Sequence, residues 1–140
     1  MKTIILFTLA AATLLLSAGC SSTHDSGPYV PQTSKTPAHE SKEPVVLMDP
    51  GVQYSVTSSG VQELVLPDGR LQMTVHLRNR ENRRIEVQAN CVFKDQNGYS
   101  TGDETPWQTV ILTENSTEDV KFVSANTQAR RATVRVRQAR

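Results

Sequence analysis

Arginine is the residue type in this chain best suited to recognition chemistry. Arg78, Arg80, Arg83 and Arg84 fall in one short stretch, and Arg130, Arg131, Arg135, Arg137 and Arg140 crowd the C-terminal end. A guanidinium group presents forked donors that match carboxylate and phosphate. In an extended strand Arg131, Arg135 and Arg137 share one face, with alternate side chains about 6–7 Å apart. The candidate binding residues are therefore Arg78, Arg80, Arg83, Arg84, Arg131, Arg135 and Arg137, facing an acidic protein or an anionic glycan or lipid. The competing use is a solvated strand whose charges discourage edge-to-edge aggregation. Acids concentrate between the clusters, at Asp95, Asp103, Glu104, Glu114, Glu118 and Asp119, and the formal net charge is only +1. A near-neutral chain with few stacking aromatics does not suit nucleic acid.

Catalytic patterns are missing from the sequence. There is no Gly-x-Ser-x-Gly elbow, no His-Glu-x-x-His, no glycine-rich phosphate loop and no paired-cysteine metal site. Ser116 and Ser124 have no histidine or aspartate at a suggestive local spacing. Glu114 and Glu118 lie about a loop, without the apolar surroundings that raise a carboxyl pKa, and read as solvated turn carboxylates. His24 and His39 lack metal-ligand spacing, and His76 alternates outward between Thr74 and Arg78. Trp107, the one tryptophan, sits beside Val110 and Leu112 and is expected to fill the core or plug a sheet end, the alternative being an aromatic that faces a ligand. A non-enzymatic protein with no cofactor and no metal is the expectation.

Position is specified better than chemistry. Lys2, then an uncharged run of about thirteen residues from Ile4 to Leu16, then Ser17-Ala18-Gly19 have the layout of an export signal. A bilayer-spanning helix needs roughly 20 apolar residues, so the run reads as a removable leader. Small residues running directly into Cys20 resemble the lipobox of bacterial lipoproteins. In that family the cysteine sulfur receives diacylglycerol, cleavage falls just before it, and the new amino terminus is acylated. Ser21 after the cysteine implies the outer membrane, facing the periplasm. The alternative is ordinary secretion with a free Cys20. Lipidation leaves Cys91 without an internal partner, so it is either a buried thiol or a link between chains.

The arginines need elements to carry them. Residues 20–44 are rich in Ser, Thr, Pro and charge, without apolar periodicity, and read as a lipidated N-terminus and disordered linker. Such a tether spans very roughly 25–30 Å. Residues 45–140 suffice for one modest core. Leu71, Met73, Val75 and Leu77 alternate with polar residues, as do Ile85, Val87, Ala89, Cys91 and Phe93, and then Val134 and Val136. Further strands are expected at 52–57, 61–66, 107–112 and 118–124, with 45–49 also extended and no helical spacing after residue 20. Pro67-Asp68-Gly69 and Asp95-Gln96-Asn97-Gly98 read as turns, and Arg80-Glu81-Asn82 as a hairpin loop. About seven short strands suggest an all-β, antiparallel, Ig-like sandwich, with a barrel as the alternative.

From Leu77 to Arg137 the chain resembles the YcfL family of small Gram-negative lipoproteins. The shared elements are Asn79, then Phe93-Lys94-Asp95-Gln96-Asn97-Gly98, then the Pro-Trp-x-x-Val-x-Leu stretch from Pro106 to Leu112, and a final Arg/Val-rich strand. The resemblance implies a lipid-anchored Ig-like sandwich and no particular reaction. The organisation expected is thus a signal peptide over 1–19, a lipidated linker over 20–44 and a β-sandwich over 45–140. Its expected role is an accessory module that binds an envelope component. A hydrolase or transferase with a site assembled from distant residues, or a structural spacer, are the rival readings.

Overall fold

The computed structural model describes residue 31 and residues 38–139. The leader at 1–19, Cys20, most of the expected linker and Arg140 lie outside the described residues. The β-structure is carried by one compact unit, Thr36–Arg140.

A short helix α1 (His39–Lys42) leads into β1 (Val45–Leu47), helix α2 (Pro50–Ser55) and β2 (Val56–Val65). Then come β3 (Leu71–Asn79), β4 (Ile85–Lys94), β5 (Ser100–Glu104), β6 (Gln108–Leu112), β7 (Thr117–Val123) and β8 (Arg131–Gln138). One sheet has the order β1-β8-β4-β5, with β6 also on β4; the other is β2-β3-β7. β6 pairs with β4 from Ile85 to Ala89, and β5 pairs with it at Val92 and Lys94, so the two share one edge of β4 in sequence. All pairings are antiparallel except β1 with β8. The architecture is an eight-stranded sandwich of two sheets.

The alternating residues are the core. Leu71, Met73, Val75 and Leu77 of β3 face Val87, Ala89, Cys91 and Phe93 of β4, and all are buried along with Val134 and Val136. Burying each large aliphatic or aromatic side chain stabilises by about 1.5–3 kcal/mol. Cys91 is fully buried beside Val134. Burial, reinforced by the carboxylates of Asp103 and Glu63, pushes its thiol up to about 12. Only the thiolate is nucleophilic, so Cys91 should stay unmodified by iodoacetamide at pH 8 until the chain is unfolded in urea. A native alkylation rate within tenfold of the unfolded rate would contradict its placement.

The turns follow their chemistry. Gly69 and Gly98 take positive φ, 84° and 88°, in the β2–β3 and β4–β5 hairpins. Two local expectations fail. Residues 52–55 are helical, not extended: Pro50 opens α2 with φ already set, and only Val52 is buried, so six residues leave no periodic signature. Arg80-Glu81-Asn82 is not a hairpin loop, because β3 and β4 belong to different sheets; it is a crossing from one layer to the other. Alternation specifies which face of a strand is buried but not which sheet receives the strand. Residues 39–44, assigned to the linker by composition, are held on β8, where Pro44 accepts from the Val134 amide at 2.8 Å and Glu43 from the Thr133 hydroxyl at 3.1 Å.

Candidate functional site

The outer face of the larger sheet acquires its shape where β5 hands over to β6. Pro106 cannot donate to a ladder, and the pairing with β4 is interrupted between Thr105, whose amide still donates to the Cys91 carbonyl at 3.0 Å, and Gln108, where β6 resumes it. Two contacts brace the break. The Cys91 amide donates to the Thr105 hydroxyl at 2.9 Å, and the amide of buried Asn90 donates to Glu104 at 2.6 Å.

Trp107 is therefore not a core residue. It is half-buried on the outer face, with the Arg137 guanidinium 4.0 Å from its ring centroid and that of Arg135 at 5.6 Å. Such cation–π contacts contribute about 0.5–2 kcal/mol. The two arginines differ in what they have left to offer. Arg135, with its side chain 17% exposed, donates through Nε to Asn90 at 3.0 Å and pairs with Glu104. Arg137 donates through Nε to Gln88 at 3.0 Å, and its terminal nitrogens have no partner among the described residues. One guanidinium is thus positioned by a ring and an amide while its outer fork is open. Thr109 and Gln88 lie beside it in the same cross-strand row. An oxyanion can dock there edge-on with little side-chain freedom left to lose.

The remaining arginines do not join this platform. Arg131, at the other end of β8 and roughly 20 Å away by strand rise, is exposed in a depression shared with Lys42, Glu63 and Lys94. Arg83 and Arg84 pair with Glu81 at 2.7 Å and Glu86 at 3.1 Å. The Ser55 hydroxyl and then Arg83 hold the Glu81 carboxyl below its ordinary range. Arg78 belongs to the smaller sheet, where Leu77 points inward and Arg78 outward, and Arg80 lies just past the end of β3 on the crossing to the other layer. His76, also outward, pairs with Asp119. Ser124 and Ser116 serve local structure: Ser124 accepts from the Leu71 amide at 2.9 Å, and Ser116 donates to the Thr113 carbonyl at 3.0 Å. Glu114 is exposed in a turn.

Sequence reasoning missed Asn90, Gln88 and the placement of Trp107. The available signal was Pro106, which ends a ladder immediately before the ring. Lys94 was missed as well; it is buried at the end of β4 with its ammonium 2.8 Å from the Thr133 hydroxyl.

Fold and surface together define a small β-sandwich with a charged aromatic platform on one outer face. Residues 45–138 match the model of a protein family of unknown function, DUF1425, and the chain belongs to that family. Among solved structures it is similar to Campylobacter jejuni cj0090, at TM-score 0.55 and 14% identity over 69% of this chain and 98% of that one. It is also similar to a DUF1425 family member from Shewanella sp. pv-4, at TM-score 0.55 and 24% identity over 61% of this chain and 79% of that one. At these identities the likeness concerns the fold. No curated protein matches the chain.

Proposed function

We propose that the protein is a YcfL-type lipoprotein, anchored in the outer membrane through Cys20 and facing the periplasm, and that its sandwich is a non-enzymatic module binding an acidic envelope component. The observation that carries the binding reading is Arg137, stacked on Trp107 and braced by Gln88, with its terminal nitrogens open. The anchoring reading rests on the leader and on Ser17-Ala18-Gly19-Cys20. Two or three acyl chains hold a protein on a membrane stably where one does not. A tethered domain then meets membrane-associated partners at raised effective concentration, which suits a modest surface contact.

Anchoring is tested by palmitate labelling and membrane sedimentation. The intact chain should incorporate label and sediment, and Cys20→Ala should do neither; a Cys20→Ala chain that still sediments would refute lipid anchoring. Binding is tested by a photo-crosslinking residue at 109, beside Gln88 and Arg137, against one at Tyr99, which is 74% exposed in the turn at the far end of β4. Specific adducts should form from 109. Equal yields from both positions would count against the platform as the contact.

A further inference from the structure

The second layer carries donors that none of the described residues uses. Arg78 and Arg80 line one depression together with Thr57 and Asn115. Neither guanidinium has a hydrogen-bond or ion-pair partner among the described residues, and the Thr57 hydroxyl and the Asn115 side-chain carboxamide are likewise unspent there. Thr57, Arg78 and Thr117 form one cross-strand row on the outward face of β2, β3 and β7, so a second hydroxyl flanks Arg78. Asn115 is held at the rim in the left-handed region, φ 52°, by its backbone N–H donating to the Glu81 carbonyl at 3.0 Å. The Arg80 amide is likewise tied to the Ser55 carbonyl at 2.8 Å.

Neighbouring acids do not neutralise this corner. Glu81 is taken by Ser55 and Arg83, and Asp119 by His76. Glu118 is level with inward-facing Leu77, and Glu114, in the same turn as Asn115, forms no ion pair among the described residues. Arg70, Arg83, Arg84 and Arg135, by contrast, each have a carboxylate.

We propose that Arg78, Arg80, Thr57 and Asn115, with Thr117, form a binding site for a tetrahedral phosphate group. Two guanidinium forks and an amide drawn from β3, the following crossing and the β6–β7 turn approach from different directions, and the hydroxyls add single donors. That arrangement suits three or four phosphate oxygens better than the two coplanar oxygens of a carboxylate. The site lies on the opposite layer from Arg137 and stands independently of the binding role proposed for that residue.

The full chain in a nonionic detergent, observed through arginine Nε–H and backbone amide NMR signals at pH 7, tests the site. Inorganic phosphate should shift the signals of Arg78, Arg80 and Asn115 saturably, with acetate several-fold weaker. Arg78→Gln and Arg80→Gln should each weaken phosphate binding by about tenfold, while Arg84→Gln, which removes an acid-paired arginine, should not. The same spectra report whether each variant is folded. Glycerophosphoglycerol distinguishes the source: binding equal to inorganic phosphate assigns the phosphodiester of a lipid headgroup, and failure beside successful phosphate binding assigns a free phosphate or monoester. Absence of saturation by both phosphates, acetate binding as tightly, or full affinity in Arg78→Gln and Arg80→Gln would overturn the proposal.

Discussion

Asn79→Asp should lower the stability of the folded domain by about 3–5 kcal/mol, a large part of the 5–15 kcal/mol typical of a native protein. Asn79 is fully buried at the end of β3, where the chain leaves one sheet for the other. Its amide nitrogen faces the carbonyls of Arg83 at 2.7 Å, Thr113 at 2.8 Å and Leu112 at 3.3 Å. Its oxygen accepts from the Glu81 amide at 2.9 Å. Arg83 lies on the β3–β4 crossing, while Leu112 and Thr113 lead into the β6–β7 crossing. One side chain thus ties together two of the chain's passages between layers.

A carboxylate in that place turns the donor into an acceptor aimed at three carbonyl oxygens, in surroundings that penalise an uncompensated charge. Asn79→Ala strands the same carbonyls without adding charge and should cost less, about 1–3 kcal/mol. Urea unfolding followed by far-UV circular dichroism measures both. With slopes of about 1–3 kcal/mol per M, the Asp variant's midpoint should fall by at least roughly 1 M. A loss below about 1 kcal/mol would mean that the two crossings are not held by this amide.

Trp107→Ala should reduce crosslinking from position 109 by about tenfold or more, through loss of the surface that orients Arg137. Without the ring, the Arg137 side chain must be ordered when a partner binds, costing about 0.5–1.5 kcal/mol in addition to the lost cation–π attraction. The same change removes the ring from beside the Arg135 guanidinium as well, so stability should also fall, by about 1–3 kcal/mol. Arg137→Gln separates the two effects. It should lose capture to a similar extent while lowering stability by only about 0.5–1 kcal/mol, the cation–π contact of a half-buried side chain. Trp107→Phe, which keeps a smaller π face, should fall between. Undiminished adducts from position 109 in Arg137→Gln would remove the platform from consideration as the contact surface.

Much of the fold can be read from the chain. The period-two runs in β3, β4 and β8 name their inward residues correctly because side chains alternate across a strand whatever it packs against. Gly69 and Gly98 mark their hairpins because a reversal with positive φ penalises a Cβ locally. The short helix α2 escapes such reading: with one buried residue, it owes its place to packing and to Pro50 rather than to a repeating stripe. The β3–β4 connection escapes for a different reason. A loop between two alternating strands looks the same whether it turns back or crosses to the second layer, and the choice rests on Asn79 and its carbonyl partners, which are up to 34 residues away.

The candidate sites divide in the same way. Sequence alone supplied the arginines, their outward alternation on β3 and β8, and the residues leading to Cys20, since all three are local properties of residue type and order. Tertiary structure decided which arginines remain available. Acids two residues away occupy Arg83 and Arg84, and Glu104, from a different strand, occupies Arg135. Arg137 is mounted on a tryptophan that a proline-broken edge delivers to the outer face. Availability is a balance of donors against nearby acceptors in three dimensions, and the pairings that settle it join residues far apart in the chain.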